Sequence, residues 1–181
     1  YIEKDGHRAV FLPQVAGEAR VKKGSIEFDF ANQTEVQKRA ATTQPLYWTY
    51  RIHMTATNNL HWAPPDGDIE FDADLDLEQT ADSLIIYGEM HSLRGTYYFL
   101  SNRFTITQAD IVFDNQRGVD PNLDILAETR LRPYRPDLAE AGVRTGDTAP
   151  LETIVAHITG RSSQPVITLS ISVRSEASSS F

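Results

Sequence analysis

The strongest constraint on the fold lies in residues 69–78, which read IEFDADLDLE. Apolar and acidic side chains alternate there, and Ile69, Phe71, Leu75 and Leu77 belong to the apolar set. Successive side chains of a β-strand point to opposite faces of the sheet, so the alternation predicts a strand with one apolar and one acidic face. The segment therefore favours a sheet that is covered on one face and wet on the other.

The same two-residue period recurs along the chain, and short polar turns separate the alternating segments. The stretch from Gly95 to Phe113, GTYYFLSNRFTITQADIVF, is especially dense in the aromatic and β-branched residues that favour strands. Connections such as Pro64-Pro65-Asp66-Gly67 are too short for the crossover between parallel strands. The sequence therefore predicts an all-β fold of antiparallel strands.

The 181 residues suit one β-rich module that spans residues 1–181. Residues 33–44 and 133–150 lack the alternation, and we interpret both as loop excursions from the sheet. The chain does not start with Met, so we interpret it as a fragment of a longer protein. Because a sheet cut from a longer one keeps unpaired edges, we expect self-association through its first or last strand.

Composition and motif searches argue against most chemical functions. The net charge is −8, which disfavours nucleic acid as a partner because phosphate binding needs a basic surface. The chain has no Cys and no helical metal-binding spacing among its five His, so we expect no metal site. Neither a nucleophile elbow nor a phosphate-binding loop is present, so we expect no cofactor, no catalytic residues and no enzymatic activity.

The apolar face that the alternation predicts has to be covered, and two architectures can cover it. A closed β-sandwich would cover the face with a second sheet. A single curved antiparallel sheet, rolled into an open hydrophobic groove, would cover part of the face with itself and part with a ligand. The alternation alone is compatible with both architectures.

A series of short strand motifs runs from Leu60 to Ser170 and closely resembles one known family. In chain order the motifs are LIIYGE from Leu84, GTYYF from Gly95, FTI from Phe104, IVF from Ile111, PNLDILA from Pro121, ITG from Ile158 and PVITLS from Pro165. Their order and spacing resemble the C-terminal domain of the TamB family, AsmA-like proteins of the envelope of diderm bacteria. The family usually has Asn-Pro where this chain has Pro121-Asn122. The resemblance covers about residues 60–170.

The resemblance implies a long β-sheet rolled into an open groove, the β-taco, in the periplasmic part of a protein anchored in the inner membrane. It also implies a partner in the outer membrane, the β-barrel protein TamA. The roles it implies are lipid transport between the two membranes and assistance to the assembly of outer-membrane proteins, including autotransporters. Phospholipid or another acyl lipid, a TamA-like barrel and outer-membrane protein substrates are therefore the expected partners.

Fifteen apolar residues of the alternating segments are predicted to line the groove and to contact lipid. They are Trp48, Tyr50, Ile52, Ile69, Phe71, Leu75, Leu77, Leu84, Ile86, Phe104, Ile106, Ile111, Phe113, Leu123 and Ile125. Two other functions stay open at this point. Exposed strand edges could template the strands of outer-membrane β-barrels without any lipid carriage. A closed sandwich could instead bind carbohydrate, with Trp48 and Trp62 as stacking platforms.

Overall fold

The computed structural model of the protein describes residues 2–4, 7–9, 13–26, 48–63, 66–80, 84–99, 102–114, 119–131 and 152–173. Every regular element in these ranges is a β-strand, which confirms the all-β prediction. The excursions predicted at 33–44 and 133–150 lie outside the described residues. The strands are β1 (Ile2–Lys4), β2 (His7–Ala9), β3 (Gln14–Val21), β4 (Gly24–Ile26), β5 (Thr49–Trp62), β6 (Gly67–Gln79), β7 (Leu84–Phe99), β8 (Asn102–Asp114), β9 (Asn122–Leu131), β10 (Glu152–Arg161) and β11 (Val166–Val173).

Nine of these strands form one sheet, in the order β11-β10-β9-β8-β7-β6-β5-β3, with β4 also paired to β5. Strands β1 and β2 form a separate two-stranded antiparallel sheet. The large sheet is curved and open and does not close into a barrel. This is the rolled single-sheet architecture that the sequence predicts, and the alternative of a closed β-sandwich is not what the described residues form.

The prediction that all strands run antiparallel is wrong at one end of the sheet. From β5 to β11 each strand pairs antiparallel with its neighbour, but β3 and β4 both run parallel to β5. A parallel pair needs a connection of about a dozen or more residues, and residues 27–48 between β4 and β5 are long enough for one.

The hydrophobic core lies on one face of this single sheet. Side chains at directly paired positions share a face, and the pairs Leu77↔Ile52 and Leu75↔Met54 join the apolar sets of β6 and β5. At the centre of the face Phe71 is only 1% exposed and Ile69 only 2%. Because these side chains are buried although the sheet has one layer, the apolar face is the concave one.

Irregular pairing recurs at one level of the sheet and bends it there. The register shifts in β5 between Ala56 and Leu60, in the β6–β7 pair next to Glu70, and in the β8–β9 pair between Ile106 and Gln108. The break between β3 and β4 faces the irregularity in β5, because β3 ends opposite Ala56 and β4 begins opposite Leu60. An extra residue in a strand bends it and increases its twist, so aligned bulges increase the curvature of the sheet.

Candidate functional site

The predicted lining residues come together on the concave face. All of them except Trp48 lie in strands, and the pairing from β5 through β9 puts their side chains on this one face. Trp48 precedes β5, is half exposed, and its ring centroid lies 5.6 Å from that of Tyr50. The structure therefore assembles one apolar surface from residues more than 70 positions apart in the chain, such as Ile52 and Ile125.

One extra residue in β8 decides whether this surface is continuous. Ile106 and Ile111 are an odd number of positions apart, so a regular strand would point them to opposite faces. The pairing with β9 steps from Ile106↔Ala127 to Gln108↔Leu126, which leaves Thr107 as the inserted residue. Its hydroxyl donates a hydrogen bond to the Leu126 carbonyl at 3.1 Å. The bulge restores the alternation, and both isoleucines face the concave side.

Burial of the concave face falls from its centre to its margins. Phe71, Ile111 and their neighbours at the centre are buried, whereas Phe104, Phe113 and Ile86 pack against this core and stay partly exposed. Among the predicted lining residues, the central ones are thus covered by the protein itself. The partly exposed ones are the positions at which an apolar ligand could make contact.

Sequence reasoning missed the part of the concave face that β10 and β11 contribute. Ile154, Ala156 and Ile158 on β10 face Ile171, Leu169 and Ile167 on β11, and this pairing continues the apolar face beyond Ile125. The side chains of β11 are the most exposed, with 58% for Ile167, 62% for Leu169 and 64% for Ile171. The signal was present in the sequence, because residues 167–173 alternate as strictly as 69–77.

The two tryptophans do not form one stacking platform. Trp48 and Trp62 lie at opposite ends of the 14-residue strand β5. Trp62 is partly buried and stacks on Tyr97, with ring centroids 6.3 Å apart and planes 6° from parallel. Gly67, the residue of β6 that pairs with Tyr97, has no side chain. This geometry favours a packing role for Trp62 over sugar binding.

Histidines on the convex polar face each hydrogen-bond to an aspartate of the neighbouring strand. The four described pairs are His53–Asp76 at 2.9 Å, His61–Asp68 at 3.0 Å, His91–Asp110 at 2.6 Å and His157–Asp124 at 2.7 Å. The hydrogen bond to Asp76 raises the pKa of His53, and those to Asp110 and Glu89 raise the pKa of His91. The spacing of these residues in the sequence does not predict the pairs, because each pair depends on the register of two strands.

A second polar cluster joins the segment before β9 to the turn between β10 and β11. Arg161 donates two hydrogen bonds to the carboxylate of Asp114, at 2.8 and 2.6 Å, which lowers the pKa of that carboxyl. Partial burial disfavours the charged form of Asp120, but hydrogen bonds from Ser163 and Ser162 outweigh it and lower the pKa. These side chains hydrogen-bond to one another and to the backbone, which indicates a structural role for the cluster.

The described part of the chain was also compared with the features of metal-binding and membrane-spanning proteins. It contains no group of three or more His, Asp or Glu side chains placed to hold a metal ion. The acidic row of β6 is engaged with the protein itself, since Asp72 accepts a hydrogen bond from the backbone of Asn58 and Asp76 one from His53. No helix suited to crossing a membrane occurs among the residues that the structure describes.

Comparison with known protein families gives one match, to the TamB C-terminal domain, over residues 6–177. The match reaches well beyond the 60–170 block on which the resemblance was based and takes in β2 to β11. A comparison with curated proteins gave no match.

Proposed function

Because the chain belongs to the TamB C-terminal domain family, we propose that its concave apolar face is a groove that holds the acyl chains of lipids on their way between the two membranes of a diderm envelope. The family functions in outer-membrane biogenesis and lipid transport, and its members work at the cell envelope with outer-membrane partners. Within that role, the proposal assigns this chain lipid binding, without catalysis or a cofactor.

The observation that carries the proposal is a continuous apolar face on a single, open sheet. An acyl chain that leaves a bilayer loses about 0.8 kcal/mol for each CH₂ exposed to water, or of the order of 10 kcal/mol per chain. A trough that offers apolar side chains along its length compensates for this loss. Transfer then needs no chemical step, because the bilayer and the trough are similar solvents for the chain.

The exposure pattern assigns different roles to the predicted lining residues. Phe71 and Ile69 stabilise the floor of the trough, whereas Phe104, Phe113 and Ile86 offer apolar surface to a ligand. The acidic and histidine side chains of the convex face keep the outside hydrated, which directs an apolar ligand to the concave side.

The proposed setting is the periplasm, within a protein anchored in the inner membrane, and the proposed protein partner is a TamA-like β-barrel of the outer membrane. A second function, templating of outer-membrane β-strands, is favoured by one observation. The outer edge of β11 has no strand partner among the described residues and could pair with an incoming strand.

Mass spectrometry of the lipids that copurify with the chain tests the groove. We expect phospholipid on the wild-type protein and little on Phe104→Asp, because the variant puts a charge on the surface that the acyl chain would contact. Thr105→Asp is the matched control, since the neighbouring Thr105 is exposed on the opposite face and should leave lipid binding unchanged.

Thermal melts of the same three proteins separate lost binding from lost folding. The proposal fails if wild type carries no lipid from a lipid-rich lysate and also extracts none from phospholipid vesicles. It fails equally if a folded Phe104→Asp retains as much lipid as the Thr105→Asp control.

A further inference from the structure

The outer edge of β11 lacks the features by which natural sheets protect their edges. Residues 166–173 read VITLSISV and contain no charged residue, no Pro and no Gly. The strand pairs with β10 in a regular antiparallel register from Glu152↔Val173 to Thr159↔Val166. Exposed edges are normally blunted by charges, proline, bulges or a covering segment, because bare ones pair with other strands.

The apolar side chains of β11 are exposed as well as its backbone edge. Leu169 is 62% exposed, whereas Ala156, its direct partner on β10, is 7% exposed. The concave apolar face thus continues to β11, where none of the residues that the structure describes covers it. Another strand beside β11 would cover both the open hydrogen-bonding edge and the flank of these side chains.

The opposite edge of the sheet has a different character. Strand β3 carries Glu18 and Arg20, and Lys22 and Lys23 follow it directly. On the face that β3 shares with Ile52 and Met54, two central positions are small, Gly17 and Ala19, and Val15 and Val21 flank them. An uncharged strand that docked on β3 would meet charged side chains on one face and, at the centre of the other, only these two small residues.

We propose that β11 is a self-association surface, which pairs antiparallel with β11 of a second copy of this chain about a two-fold axis at Leu169. In this register Leu169 faces its own counterpart, Ile167 faces Ile171, and Thr168 faces Ser170. From Ile167 to Ile171 apolar side chains meet apolar ones and hydroxyls meet hydroxyls, whereas Val166 faces Ser172 at each end; neither strand carries a charged side chain. A slip by one residue would set Leu169 against Ser170 and break the apolar face.

This self-complementarity favours a second copy over a foreign strand, and the two-fold pairing closes at the dimer. Pairing of β11 with β3 would instead be head-to-tail and would propagate into filaments, and the charges of β3 disfavour it. A contact through one eight-residue strand is smaller than the roughly 1,200 Å² of a stable standard interface, so the dimer is weak and dissociates on dilution. Two chains of net charge −8 repel each other, so salt strengthens the dimer.

Sedimentation velocity of the whole chain, from low-micromolar to near-millimolar concentration, tests the proposal. Wild type should move from monomer to dimer and no further, and added salt should shift the midpoint to lower concentration. Leu169→Lys should stay monomeric, because two lysines would face each other on the axis. Val112→Lys is the matched control and should dimerise like wild type, since Val112 is exposed on β8, an interior strand with partners on both sides.

Cysteine cross-linking tests the register without relying on a charged variant. The chain has no Cys, so Leu169→Cys introduces a single thiol. Directly opposed antiparallel residues have Cα atoms about 4.5–5.5 Å apart, a spacing that a disulfide can bridge. Mild oxidation should give a disulfide-linked dimer from Leu169→Cys and not from Val15→Cys, a half-exposed position on the β3 edge.

Any of four results would overturn the proposal. They are a monomer at every concentration, association that a folded Leu169→Lys retains, growth beyond the dimer, and equal cross-linking at positions 15 and 169. A chain that stays monomeric alone and binds only a foreign strand peptide would give the first result and would assign the edge to strand templating instead. Lipid binding is measured separately, so its failure leaves this test intact.

Discussion

Gly88 provides the sharpest test of the strand packing. It lies on β7 with φ of +115°, and a Cβ placed there would come within 2.0 Å of the backbone carbonyl oxygen of Asp74 on β6. The clash involves backbone of a paired strand, which cannot rotate away as a side chain can. Gly88→Ala therefore has to strain its own backbone or part β6 from β7.

Alanine variants at three other glycines separate the two contributions to the lost stability, which are backbone strain and steric clash. Gly17 has ordinary φ and open space, so Gly17→Ala should be neutral or stabilise by about 0.4–1 kcal/mol through the unfolded state. Gly160 has φ of +92° but its nearest contact is 3.5 Å, so Gly160→Ala should show the backbone strain alone, about 1–3 kcal/mol. Gly95 has ordinary φ, but a Cβ added there would lie 2.8 Å from side-chain atoms of Ile69, so Gly95→Ala tests the steric clash without the backbone strain.

The strain at Gly88 adds to an overpacking cost of about 1–3 kcal/mol, so Gly88→Ala should lose about 2–6 kcal/mol. Urea unfolding followed by far-ultraviolet circular dichroism measures the four variants on one scale. We expect Gly88→Ala to be the least stable and Gly17→Ala the most stable. If Gly88→Ala unfolded at the same urea concentration as Gly17→Ala, the close approach of β6 and β7 described here would be refuted.

Two further outcomes follow from burial and charge. Phe71→Ala should lower the free energy of unfolding in urea by about 3–5 kcal/mol, because Phe71 is 1% exposed. Phe99→Ala is the control and should lower it little, because Phe99 is 52% exposed. Equal losses would contradict the position of the core. The hydrogen bond to Asp110 raises the pKa of His91, so the pair's contribution is complete below the ordinary histidine value of 6.5 and is lost as pH rises through the raised value. The pKa of Asp110 is lowered, so the contribution is also lost in strong acid, as pH falls through that lowered value. His91→Gln should therefore lower the melting temperature more at pH 5.5 than at pH 8.5, and an equal loss at both would argue against the pair.

The local pattern of the sequence was sufficient to predict strands β5 to β11 and most of the concave surface, but not β1, β2 or β3. In residues 69–77 the period of two fixes which side chains share a face, because side-chain direction in a strand depends on neighbouring backbone alone. The turn residues between segments predict hairpins from β5 to β9 and from β10 to β11, and their short connections require antiparallel pairing there, whereas residues 132–151 separate β9 from β10 in the sequence. The family resemblance added the open, rolled architecture, which alternation by itself left undecided.

Other features depended on contacts between distant residues. The bulge at Thr107 brings Ile106 and Ile111 to one face, and it exists only in relation to the register with β9. The pair His91–Asp110 likewise needs β7 and β8 in one particular register. Parallel pairing of β3 with β5 likewise depends on a register between segments that are distant in the chain.

The sequence by itself thus determined which side chains are apolar and how they alternate within each strand, while the tertiary structure decided which of them stay accessible. Phe71 and Leu169 occupy equivalent places in their local patterns, yet one is 1% exposed and the other 62%. The physical reason is that burial depends on how many strands flank a residue and how the sheet bends over it. Phe71 lies on β6, between two paired neighbours and beside the bulges, whereas Leu169 lies on β11, which has a neighbour on one side only among the described strands.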